Sequence, residues 1–92
     1  MRPAPAAALL PVALLLAACA PAHGPSPEDL AIAIGVDVGA LKHVRCERVP
    51  EDPTEFVCRY QQRSGAGWAA METVAARDGL RWVLTDTPGA PD

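Results

Sequence analysis

The chain has 92 residues, a formal net charge of −3 with histidine neutral, half of its residues hydrophobic and only four aromatic ones. That length excludes more than one small domain, and the scarcity of large apolar side chains predicts a marginal core that needs a staple. The acidic balance, with no basic patch, argues against nucleic acid as a partner.

The first segment has three parts. Met1 and Arg2 give a short positive end, residues 6–18 are almost wholly apolar with Pro11 as the one break, and the small residues Ala17 and Ala18 precede Cys19. This is the layout of an export signal. The apolar run is too short for a membrane span, which needs ~20 apolar residues in helix.

Leu16-Ala17-Ala18-Cys19 resembles the lipobox of bacterial lipoproteins, and the resemblance covers the first twenty or so residues. It implies cleavage between Ala18 and Cys19, a diacylglycerol on the Cys19 thiol and an acylated new amino terminus, with palmitate as a typical chain. Two or three acyl chains give lasting attachment where one is marginal. In enteric bacteria an aspartate directly after the lipidated cysteine retains a lipoprotein at the inner membrane. Ala20 stands there in this chain, so the resemblance implies the outer membrane, facing the periplasm. An ordinary secretory signal is the alternative, because Ala18-Cys19-Ala20 also has the small-x-small form.

Removal of residues 1–18 leaves 74, with seven basic residues against eleven acidic ones, a net charge of −4. Cys46 and Cys58 then remain, in a compartment that permits disulfides. A bridge between them closes a loop of about a dozen residues, worth roughly 3 kcal/mol in the chain-entropy model. Two buried free thiols are the alternative. A metal pair is disfavoured, since no C-x-x-C spacing or histidine cluster supplies further ligands.

Residues 19–26 are rich in proline and glycine and read as a lipidated tether, with His23 solvated in it. Ser26-Pro27-Glu28-Asp29 is a helix start: a capping serine, proline at the first position and two acids at the positive end of the dipole. Leu30, Ala33 and Ile34 make one apolar face, and Gly35 ends the helix. Residues 36–41 form a turn or a second helical turn, with Val36, Val38 and Leu41 directed to the core.

From Lys42 the apolar period becomes two, which predicts a strand through Val49. Residues 50–54, with two prolines, read as a loop, and residues 55–62 as the next strand. Setting Cys46 opposite Cys58 pairs Val44 with Tyr60 and Arg48 with Phe56. It brings the cysteines within disulfide reach and places Val44, Cys46, Phe56, Cys58 and Tyr60 on one face. Arg48 then lies at the rim, its stem on the Phe56 ring. Residues 63–67 read as a flexible connection. Residues 68–77 read as a strand, with a helix as the alternative. Asp78-Gly79 reads as a hairpin turn and residues 80–86 as a last strand, with Leu80, Trp82 and Leu84 on one face. The end of the chain reads as a loose tail.

The expected organisation is therefore a signal at 1–18, a tether at 19–26, a domain at 27–87 and a tail at 88–92. The expected fold is α+β, a short N-terminal helix packed on a four-stranded antiparallel meander with one disulfide. The helix covers the face that carries Phe56, Tyr60, Trp82 and Leu84.

No reactive constellation stands out. His43 is a strand-end histidine, Ser26 a helix cap and Ser64 a loop residue, and no nucleophile-elbow motif joins them. Glu51, Asp52 and Glu55 cluster without EF-hand spacing and read as a solvated acidic turn rather than a calcium site. No haem, metal or phosphate-loop motif is present, so no cofactor is expected. Trp68 and Trp82 are candidates for a stacking platform, with Trp82 assigned to the core. These features predict a non-enzymatic binding or accessory module held to the membrane by its N-terminal lipid. A protein partner would meet it at a sheet edge or on the exposed sheet face. Lysozyme-inhibiting lipoproteins are similar in type, sharing a lipobox, a cysteine pair and short strands. An enzyme acting on envelope polymers is the remaining alternative, and would need paired carboxylates in a cleft.

Overall fold

A computed structural model describes residues 23–91. The lipobox and the signal lie outside these residues. Helix α1 spans Pro27–Ile34, a 3₁₀ turn spans Val38–Ala40, and four strands follow: β1 Leu41–Val49, β2 Asp52–Ser64, β3 Gly67–Asp78 and β4 Arg81–Leu84. They form one antiparallel sheet in the order β1-β2-β3-β4. Sheet dominates and the helix is short, so α+β fits the fold only loosely. Among the described residues no helix is long and apolar enough to cross a membrane.

The helix starts where its capping residues place it. Ser26 Oγ accepts from the Asp29 amide at 3.1 Å, and Asp29 Oδ2 accepts from the Ser26 amide at 3.2 Å. Such reciprocal bonds satisfy two otherwise orphaned donors, and a good cap is worth about 1 kcal/mol. Gly35, at φ 91°, closes the other end. The helix buries Leu30 and Ala31 and exposes Ile32, with Ala33 and Ile34 partly buried. Ala31 thus joins the expected face. The helix packs against β4 and β1, the two outer strands, and so lies across the sheet. Beneath it sit Phe56, Cys58, Tyr60, Ala75 and Trp82. Phe56 meets Trp82 edge to face, ring centres 5.6 Å apart.

Cys46 pairs with Cys58 and Arg48 with Phe56, and the cysteines form a disulfide across Cα atoms 4.0 Å apart. The expected pairing of Val44 with Tyr60 does not form. Lys42 pairs with Gln61 but Arg45 with Arg59, so two residues of β1 oppose one of β2. His43, at φ 57°, makes this bulge. Histidine is among the residue types more tolerant of that conformation.

Most other departures lie at strand ends. Only Pro50 and Glu51 separate β1 from β2, because Val49 pairs with Asp52. Pro53 is accommodated because the register shifts there, so its missing N–H interrupts no regular ladder. The expected flexible link at 63–67 is a tight turn, with Ser64 paired to Gly67 around Gly65-Ala66. The last turn is Gly79-Leu80 rather than Asp78-Gly79, since Asp78 pairs with Arg81. Both turns have positive φ at a leading glycine, the type II′ pattern that suits strand twist. Leu80 is consequently a 95% exposed turn residue instead of a core contributor, and Val38 is exposed on its 3₁₀ turn.

Both expected unstructured ends are partly docked. Pro25 is buried. A side chain at Gly24 would come within 2.9 Å of Phe56 Cδ2 and 3.0 Å of Cys46 Cβ, so a residue without Cβ is required for this close approach. At the other end Gly89 exchanges two backbone hydrogen bonds with Glu72, at 2.7 and 3.1 Å.

Candidate binding face

Strand alternation puts one set of side chains under the helix and the other on the opposite, outer face of the sheet. On the outer face Lys42 lies opposite Gln61, Arg63 opposite Trp68 and Arg45 opposite Arg59. Trp68 is 37% exposed. Lys42 Nζ lies 4.2 Å from the centre of its ring and Arg63 Cζ lies 4.9 Å from it. These are cation–π distances, so the indole holds two cations that would otherwise sample many rotamers.

The acids on this part of the face are committed elsewhere. Arg59 Nε meets Glu72 Oε2 at 3.1 Å and Arg59 Nη1 meets Glu47 Oε1 at 3.3 Å. Such exposed pairs add little stability. Their effect here is on charge distribution: one arginine occupies both carboxylates, and among the described residues Lys42, Arg45 and Arg63 have no ion pair. Four basic side chains against two acids give this region a charge of +2, on a chain whose total is −3. The expected absence of a basic patch is therefore corrected: strand register assembles Lys42, Arg45, Arg59 and Arg63 on one face. Lys42 and Arg63 are twenty-one positions apart, and only strand register unites them.

The two tryptophans do not form a joint platform. Trp82 is in the core and Trp68 is on the outer face. The comparisons with protein families, with curated proteins and with solved structures find no match for this chain.

Of the residues singled out from the sequence, Ala18 and Cys19 lie outside the described residues, and Cys46 and Cys58 are bonded to each other. His43 is exposed at the bulge. Among the described residues no three histidine, cysteine or acidic side chains are grouped to hold a metal. Asp52 accepts from the Thr54 hydroxyl at 2.6 Å and from the Thr54 amide at 3.1 Å. These two bonds, the hydroxyl first, hold its carboxyl below the usual carboxylate range. They also make Asp52 the anchor of a local turn.

A buried polar group under the helix had no clear signal in the sequence. Thr73 is fully buried and donates its hydroxyl to Asp86 Oδ1 at 2.6 Å, and the same oxygen accepts from the Val74 amide at 2.9 Å. The Tyr60 hydroxyl is also buried, with no hydrogen-bond partner among the described residues. Burial first, and the charge of Asp86 second, push the Tyr60 phenol up from its ordinary value of 10.0.

The raised phenol has a readable consequence, because Tyr60 is the only tyrosine. The folded state binds this proton more tightly than the unfolded state. The associated stability is fully present below pH 10 and declines as pH rises through the folded-state value. Absorbance at 295 nm should therefore show tyrosinate forming only above pH 10, together with loss of the near-ultraviolet signal of the fold. Tyr60→Phe should remove the absorbance step and leave stability equal or up to about 1 kcal/mol higher, since it deletes an unpaired buried hydroxyl. A phenol titrating at or below pH 10 in the folded protein would contradict the burial.

Proposed function

We propose that this chain is a small lipid-anchored envelope protein, a non-enzymatic binding or accessory module on the periplasmic side of the outer membrane. The observation that carries the reading is Leu16-Ala17-Ala18-Cys19 at the end of an apolar run, a few residues ahead of Gly24 and Pro25, which are packed on the domain. The Cys46–Cys58 disulfide suits a compartment outside the cytoplasm. The outer sheet face, with Trp68 and its two cations, is the working surface: it is polar, accessible and preorganised.

Mass spectrometry of the protein from its native membrane tests this. The expected species begins at Cys19, carries acyl chains on that residue and lacks two hydrogens across Cys46 and Cys58. Cys19→Ser should abolish acylation and leave the protein unprocessed by the lipoprotein-specific peptidase. A mature form that starts elsewhere, with an unmodified Cys19 thiol, would remove the anchor and with it the outer-membrane placement.

A further inference from the structure

We infer that the outer face of the sheet, centred on Lys42, Trp68 and Arg63, rests on the anionic phospholipid headgroups of the leaflet that holds the anchor. This rests on the lipid anchor proposed above and names what its working surface meets.

Two independent observations point to the leaflet. The first is charge. Lys42, Arg45 and Arg63 have no carboxylate partner among the described residues, and two of them are held against an indole. An exposed tryptophan flanked by lysine and arginine is the composition that suits the headgroup layer: the ring sits among glycerol and carbonyl groups and the cations reach phosphates. Each cation near an anionic membrane surface strengthens attachment roughly fivefold.

The second is reach. Gly24 is packed against the domain, so at most five Cα steps separate a docked residue from Cys19. Fully extended, these cover at most about 18 Å. The domain therefore cannot stand far from the bilayer, and some face of it must lie near the headgroups. Gly24 sits against Cys46 and Phe56, beside β1, an outer strand of the sheet. Arg45 and Lys42 project from that same strand on the other face. The available length exceeds the ~10 Å of one sheet layer, so the chain can pass round the β1 edge and bring the basic side down. The helix side sets Glu28 and Asp29, in the helix's first turn, against its own cations Arg48 and Arg77 over Phe56 and Trp82, so it lacks the net positive charge of the outer face.

Fluorescence of the lipidated protein in vesicles tests the inference. The protein is placed in phosphatidylcholine vesicles with or without phosphatidylglycerol, and a fraction of the choline headgroups carries a spin-label quencher. The expected result is quenching of Trp68 in the anionic vesicles, relieved by high salt and absent in phosphatidylcholine alone. Trp68→Phe should eliminate the quenched component and leave the buried Trp82 as an internal reference. The double variant Lys42→Gln, Arg63→Gln should reduce the ratio of docked to undocked protein roughly twenty-five-fold, two fivefold steps combined. Trp68 equally open to aqueous acrylamide in both vesicle types would overturn the inference. So would protection of Trp68 in native envelopes without lipid quenching, which assigns the face to a polymer or protein. The two readings fail separately. An unmodified Cys19 defeats the anchor, whereas an acylated protein whose Trp68 stays unquenched defeats only the docked face.

Discussion

Replacing Cys46 and Cys58 together by alanine is expected to lower the unfolding free energy by about 3 kcal/mol, the entropy of a loop of about a dozen residues in the denatured chain. The bridge joins directly opposed residues of β1 and β2, and Cys58 is fully buried beside Phe56 and Tyr60. A domain of this size has on the order of 4–10 kcal/mol in all, so the loss is a large part of the total. With a urea slope near 1 kcal/mol/M, the denaturation midpoint should fall by roughly 3 M. Reduction of the native protein should reproduce most of that shift, because it breaks the same cross-link. The singly substituted Cys46→Ala should match the reduced protein, since its remaining thiol is small and apolar enough to stay buried. Three coincident midpoints would assign the effect to the cross-link. A double variant with an unchanged midpoint would mean that the hairpin already constrains the denatured chain as tightly as the bridge does.

The same hairpin shows what could be read in advance. The alignment of Cys46 with Cys58 was legible because a covalent requirement and an apolar face selected one register. The helix was legible from Ser26, Pro27 and Gly35, each of which acts on its immediate neighbours. Local chemistry was less decisive at turns. Asp78 and Gly79 both tolerate positive φ, so the sequence alone did not distinguish a turn at 78–79 from one at 79–80, and Leu80 moved from core to tip. Val44 lost its expected partner because a left-handed His43 inserts an extra residue, a choice of backbone that no periodicity encodes. The basic outer face was hidden for a different reason. Its members alternate with core residues along each strand and look like ordinary solvated positions until register sets Lys42, Arg63 and Trp68 side by side. Gly24 and Gly89 were hidden because proline- and glycine-rich ends resist regular structure without being barred from packing.

Asp86→Ala is expected to cost about 2–3 kcal/mol, despite the exposure of the residue, because it strands a fully buried hydroxyl and a strand amide. The ladder between β3 and β4 ends at Ala75 and Leu84, and pairing to β3 resumes only at Gly89 opposite Glu72. In the gap Thr85 donates its amide to the Val74 carbonyl at 2.9 Å, while the Val74 amide turns to Asp86 Oδ1. The aspartate carboxylate thus replaces the backbone acceptor that the irregular chain no longer offers. It binds Thr73 at the same time. Alanine removes both bonds. Asparagine keeps an oxygen that can accept from both donors and loses only the charge, so Asp86→Asn should cost about 1 kcal/mol, the difference between charge-assisted and neutral bonds. Hydrogen exchange should locate the effect, with the Val74 and Gly89 amides opening faster in the alanine variant. Both variants should also lower the alkaline midpoint of Tyr60, because each removes a negative charge that disfavours phenolate. Equal stability losses for alanine and asparagine would show that charge, not acceptance, is what Asp86 contributes. A Tyr60 midpoint unmoved by either variant would separate the phenol from this group altogether.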